Sequence, residues 1–106
     1  MTTLITRDEL AEHLDEFTVV DALGGEYYAK QHLTGAIALV LADVDEQAPR
    51  LLPDKDAAIV TYCSNLSCPN SGQVAAKLES LGYSNVRKYA EGIQDWTETG
   101  LPVEPA

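Results

Sequence analysis

Short apolar runs alternate along the chain with stretches of helical spacing. Ala58-Ile59-Val60-Thr61-Tyr62 is continuous, β-rich and too short for a helix, so it reads as a strand buried on both faces. Phe17-Thr18-Val19-Val20-Asp21-Ala22 has the same character, and Gly24-Gly25 ends it before a short helix through Glu26-Tyr27-Tyr28-Ala29-Lys30. Ahead of it, Thr6-Arg7-Asp8-Glu9 has the Ser/Thr-x-x-Glu form of a capping box, with Leu10 and Leu14 on one helical face. Ala36-Ile37-Ala38-Leu39-Val40 is a third candidate strand. An acidic stretch from Asp43 to Gln47 follows it, with Pro49 and Pro53 as breakers.

In the second half, Asn70-Ser71-Gly72-Gln73 offers an N-cap with a Gln three residues on. Val74, Ala75, Leu78 and Leu81 then form an apolar stripe that Gly82 ends. Val86-Arg87-Lys88-Tyr89 predicts a last strand, Ile93 to Thr97 a short helix containing Trp96, and Gly100-Leu101-Pro102 an exit turn. Strands separated by helices require right-handed crossovers, hence an α/β fold with a mainly parallel sheet covered by helices on both faces.

With 106 residues, 45% of them hydrophobic, and no repeat or Pro/Gly-rich linker, the expectation is a single domain over residues 1–106. Seventeen acidic against seven basic side chains give a net charge of -10, which repels nucleic acid and anionic lipid surfaces, so neither is expected as a partner. No apolar stretch approaches the roughly 20 residues that span a bilayer. Two cysteines are too few for a stapled secreted scaffold. The start Met1-Thr2-Thr3-Leu4-Ile5-Thr6-Arg7 has no basic segment followed by a long apolar one, so a cytoplasmic location is expected.

Cys63 changes the picture. It ends the Ala58–Tyr62 run and opens a polar loop leading into a helix, the place where an α/β fold gathers loop amides and a helix N-terminus around an anion such as a thiolate. The candidate catalytic residue is therefore Cys63, and the candidate substrate-binding loop is Ser64, Asn65, Leu66, Ser67, Cys68, Pro69 and Asn70. Residues 64 to 76 hold no Lys, Arg or His. A depressed Cys63 pKa must then come from backbone amides and the helix dipole, helped by Ser64, Asn65 and Ser67. Lowering it by about two units takes roughly 2.7 kcal/mol of differential stabilisation. Cys68 is a candidate resolving cysteine if its Cα lies within about 7 Å of that of Cys63. The cysteines and histidines have no metal-ligand spacing, so neither metal nor cofactor is expected. His13 reads as a surface residue, Asp21 as a turn residue holding backbone amides, and Trp96 and the tyrosines as core or rim aromatics.

The chain resembles the single-domain rhodaneses. The resemblance rests on Val19-Val20-Asp21, Glu26-Tyr27, His32-Leu33-Thr34-Gly35-Ala36-Ile37, Tyr62-Cys63, Leu81-Gly82-Tyr83-Ser84-Asn85-Val86, then Gly92, Trp96 and Gly100-Leu101-Pro102-Val103, in that order. It implies a sheet of about five strands and a cysteine that carries sulfane sulfur as a persulfide. A thiolate takes the outer sulfur of a donor, and the resulting persulfide passes it to a nucleophilic acceptor. The implied partners are a small-molecule or protein sulfur donor and acceptor. Within the resembling segment, His32 reads as a structural histidine.

Against the family pattern the loop is about two residues longer, with Cys68, Pro69 and Asn70 where an anion-clamping Arg is usual. Leu23 stands in place of a further Arg, Gln31 in place of the Gly before the histidine, and Glu91 in place of one Gly of a pair. A polysulfide or persulfide therefore suits the loop better than thiosulfate. Three functions follow as expectations: a sulfurtransferase on Cys63, a thiol-disulfide redox enzyme using Cys63 and Cys68, and a binding module that kept the fold without the activity.

Overall fold

The computed structural model describes residues 2–106. In chain order the elements are β1 (Thr3–Leu4), α1 (Arg7–Glu12), β2 (Thr18–Asp21), α2 (Gly25–Lys30), β3 (His32–Leu33), β4 (Ile37–Ala38), α3 (Val44–Leu51), β5 (Ile59–Tyr62), α4 (Asn70–Ser80), β6 (Val86–Tyr89), α5 (Gly92–Glu98) and β7 (Val103–Glu104). Five strands form a sheet in the order β1-β6-β5-β2-β4, every pairing parallel. β3 and β7 form a separate antiparallel pair.

The period of two along each strand divides the core. Val20 and Ile59 face one side, where Val44, Ala48, Val74, Ala75 and Leu78 of α3 and α4 cover them. Val19, Val60 and Tyr62 face the other, against Leu10, Tyr89 and Trp96. All four residues of β5 are buried, as its unbroken apolar run requires of a central parallel strand. The same alternation puts Cys63, one residue past β5, on the α4 side with Ile59.

Half of the capping box forms: the Glu9 amide donates to Thr6 Oγ1 at 3.2 Å, while the Glu9 carboxylate accepts from Arg87 at 2.9 Å instead of from the Thr6 amide. Two expectations need correction. Asn70 is the first helical residue of α4 rather than its cap, which is Pro69. Its side-chain amide reaches back toward the Ala22 carbonyl at 3.5 Å instead. The stretch with Pro49 is a helix, because Val44 and Ala48, one turn apart, are both fully buried. That burial offsets the hydrogen bond that Pro49 cannot donate. Tyr83 strengthens the turn by donating to the Ala48 and Leu52 carbonyls at 3.1 and 2.6 Å. The two-residue strands β1, β3 and β7 have no sequence pattern of their own. Among the described residues, no helix is long and apolar enough to cross a membrane.

Candidate active site

The site lies where β2 and β5 end side by side, Asp21 in register with Tyr62. The buried Asp21 carboxylate accepts the Leu23 and Gly24 amides at 2.8 and 3.0 Å, which is the amide-holding turn role read from the sequence. It also accepts the Tyr62 hydroxyl at 2.5 Å, and that hydroxyl accepts the Leu33 amide at 3.1 Å. Burial first, and the Asp21 contact second, raise the Tyr62 phenol far above its usual range and keep it a donor.

The loop after Cys63 is fastened from within and from α5. Asn65 Oδ1 accepts the Ser67 amide at 2.9 Å, and the Asn65 carbonyl accepts the Cys68 amide at 3.1 Å. From the other side, the Ile93 and Gln94 amides donate to the Cys63 and Ser64 carbonyls at 2.9 and 3.0 Å. Those bonds require the backbone to pass within contact distance of the loop, and Gly92 permits it. At its φ of +74°, a β-carbon would sit 2.5 Å from the Cys63 carbonyl oxygen and 2.7 Å from the Ser64 carbonyl.

The two sulfurs occupy different environments. Cys63 is fully enclosed, at 0% exposure; its thiol donates toward the Cys68 carbonyl at 3.3 Å and lies 3.4 Å from Ser71 Oγ. Burial, with the adjacent Cys68 sulfur adding to it, pushes the Cys63 thiol up, against opposing hydrogen bonds from Ser71. Burial thus works against the depressed Cys63 pKa expected from the sequence, and the hydrogen bonds from Ser71 return only part of it. Cys68 is half-buried. Burial works against its anion too, but it is outweighed by hydrogen bonds from the Cys63 thiol, the Ser64 and Asn70 amides and the Ser64 hydroxyl, so the Cys68 thiol is lowered.

A cavity of about 210 Å³ opens beside the loop, lined by Leu23, Tyr27, Lys30, Gln31, Ser64 and Ile93. Lys30 brings to it the positive charge that the loop lacks. Sequence reasoning missed this residue because it lies 33 positions before Cys63 and belongs to the last turn of α2. A second cavity, about 270 Å³, lies across the loop, where Asn65, Leu66 and Ser67 face Glu91, Asp95 and Glu98. Leu66 at the loop tip is 75% exposed, Pro69 is exposed, and Asn70 is half-buried. The loop residues named from the sequence are therefore together, but its apolar tip faces outward.

The other candidates are accounted for structurally. His32 is buried, stacked on Tyr28 at 3.8 Å between ring centroids, with Nδ1 2.8 Å from the Tyr28 carbonyl. Trp96 is buried and donates to the Pro102 carbonyl at 2.9 Å. His13 is exposed beside Glu16. Among the described residues, no three His, Cys, Asp or Glu side chains gather as metal ligands.

The contrast between the sulfurs predicts selective alkylation. Since the thiolate is the reacting form, iodoacetamide at pH 7 is expected to label Cys68 and spare Cys63 in the native protein. The Cys68 rate should rise with pH through a midpoint below the ordinary thiol value of 9.0. Peptide mapping that finds Cys63 labelled first would reverse this assignment.

Residues 6–99 match the family model described as Rhodanese-like domain. The chain is 33% identical over 76 residues to thiosulfate sulfurtransferase PspE of Escherichia coli (strain K12), covering 72% of this chain and 70% of that one. It is 31% identical over 102 residues to an HTH-type transcriptional regulator of Mycobacterium tuberculosis, covering 94% of this chain but spanning only 44% of that relative's length. Among solved structures, the BH2092 protein of Bacillus halodurans superposes with a TM-score of 0.88 at 26% identity, covering 98% of this chain and 77% of that one. An Escherichia coli structure described as rhodanese with anions gives a TM-score of 0.70 at 29% identity, covering 85% and 99% respectively.

Proposed function

Because the chain belongs to the rhodanese-like domain family, and so to the fold and relatives of a sulfurtransferase, we propose that it carries sulfane sulfur as a persulfide on Cys63 and passes it to a thiol or other nucleophilic acceptor. The observation that carries this reading is the position of Cys63. It stands at the carboxyl end of the central parallel strand, its carbonyl clamped by Ile93 and its thiol aimed into the loop between the Cys68 carbonyl and Ser71. In the net reaction, the Cys63 thiolate gains the outer sulfur of a donor R–S–S⁻, the donor's S–S bond breaks and RS⁻ leaves. An acceptor thiolate later takes the terminal sulfur and returns Cys63 to the thiolate.

Of the residues lining the cavity beside the loop, Lys30 alone is basic, and it is exposed. One exposed cation against a net charge of -10 favours a donor with a singly charged sulfur chain, a hydropolysulfide or a persulfide on a small molecule or protein, over the thiosulfate dianion. The test is intact-mass and peptide mass spectrometry of the reduced protein after equilibration with polysulfide, cysteine persulfide or thiosulfate. The expected result is a cyanide-labile gain of one sulfur on Cys63 that persists in Cys68→Ser, with cysteine persulfide loading faster than thiosulfate. No sulfur on Cys63 with any of the three donors would overturn the reading.

The contact between the two cysteines favours one other reading, a thiol-disulfide enzyme. Hydrogen peroxide would take two electrons from the pair, forming a Cys63–Cys68 disulfide and two waters. In the same mass measurement this appears as a loss of two hydrogens, abolished by Cys63→Ser or Cys68→Ser. A protein that takes neither sulfur nor a disulfide fits the binding-module reading instead.

A further inference from the structure

The proposed carrier is enclosed, while its neighbour on the same loop keeps part of its surface in solvent. Cys63 has no exposed surface, so neither a protein persulfide nor a protein acceptor can reach its sulfur without displacing the loop. Cys68 is half-exposed on the same loop. The turn that ties the Cys68 amide to the Asn65 carbonyl at 3.1 Å holds it against Cys63, whose thiol lies 3.3 Å from the Cys68 carbonyl oxygen. Leu66, exposed two residues before it, leaves the loop tip open to an incoming molecule.

We propose that Cys68 is the exchange thiol of this site: it takes sulfane sulfur from an external persulfide or polysulfide, relays it to enclosed Cys63, and returns it by the same route to an external thiol. The inference rests on Cys63 being the carrier. In the entry step, Cys68–S⁻ attacks the outer sulfur of R–S–S–H, forming Cys68–S–S–H and releasing RS⁻. In the relay step, the Cys63 sulfur attacks the terminal sulfur of the Cys68 persulfide. The Cys68–S bond breaks, the Cys63–S bond forms, and the proton of the Cys63 thiol passes to the departing Cys68 sulfur. One S–S bond is exchanged for another at each step, so no external oxidant or reductant is consumed. Enclosure then shields the Cys63 persulfide from adventitious thiols in bulk solvent, while Cys68 keeps it in exchange with partners.

The test is rapid-quench loading with cysteine persulfide. Free sulfurs are alkylated at each time point, and fragment masses of the tryptic segment 56–77 distinguish position 63 from position 68. In the wild type the extra sulfur is expected on Cys68 at early times and on Cys63 at equilibrium. Cys63→Ser should hold it on Cys68. Cys68→Ser, which preserves shape and whose fold is checked by circular dichroism, should still load Cys63 but at least about tenfold more slowly, since the external donor must then reach an enclosed and mostly protonated thiol. Wild-type loading of Cys63 in Cys68→Ser overturns the relay and leaves the carrier assignment standing. Sulfur found only on Cys68, or on neither residue, overturns the relay and the carrier assignment together.

Discussion

Replacing Gly92 by alanine is expected to destabilise the protein by roughly 2–5 kcal/mol, combining about 1–2 for a left-handed backbone at a residue bearing a β-carbon with about 1–3 for overpacking. The new β-carbon would meet the Cys63 carbonyl oxygen at 2.5 Å and the Ser64 carbonyl at 2.7 Å. These are backbone atoms, so no side-chain rotation relieves the clash. Either α5 moves away, losing the Ile93 and Gln94 amides that hold the loop, or the loop itself shifts, and both outcomes displace Cys63. Urea denaturation should report the loss of stability, and the same variant should load sulfur poorly. Gly100→Ala is the control, because Gly100 has a φ of +81° with nothing within 4 Å of the added carbon. It should show the conformational cost alone. Equal losses at the two positions would mean that the close approach of Gly92 to the loop carries no energy.

Asp21→Ala is expected to cost a comparable amount, roughly 3–5 kcal/mol, because it strands three buried or half-buried donors at once: the Leu23 and Gly24 amides and the Tyr62 hydroxyl. The consequence extends further, since the Tyr62 hydroxyl also accepts the Leu33 amide. One carboxylate thereby ties the ends of β2 and β5 to β3. Asp21→Asn should recover part of the loss by offering one acceptor oxygen. Tyr62→Phe should cost less than Asp21→Ala, about 1–3 kcal/mol, as it leaves the turn amides paired. Chemical denaturation of the three variants orders them. An Asp21→Ala protein within about 0.5 kcal/mol of wild type, the range of an ordinary surface change, would contradict this role for the carboxylate.

Lys30 and the loop illustrate why part of the site escapes sequence reasoning. No basic residue occurs from 64 to 76, and a local reading leaves the site without a cation. Lys30 reaches the cavity only because β2 pairs with β5, which brings the last turn of α2 beside Ser64. Likewise Pro49 reads locally as a breaker, yet α3 runs through it. Nothing in the local sequence reports that Val44 and Ala48 would meet a core to which α4 and β5 contribute.

What the sequence by itself determined is what short-range periodicity encodes. The unbroken run before Cys63 specifies a central buried strand, Thr6 and Glu9 a helix start, Asp21 a turn acceptor, and the alternation of elements a parallel α/β sheet with a cysteine at the carboxyl end of its middle strand. Only the tertiary structure decided which of the two thiols is enclosed and which favours the anion. A thiol's ionisation depends on the solvent it has lost and the donors it has gained, and for Cys63 both come largely from α4 and the folded loop rather than from its neighbours in β5. The chain places a cysteine in the position of a nucleophile, and the fold encloses it while leaving Cys68 half-buried, where the anion is less disfavoured.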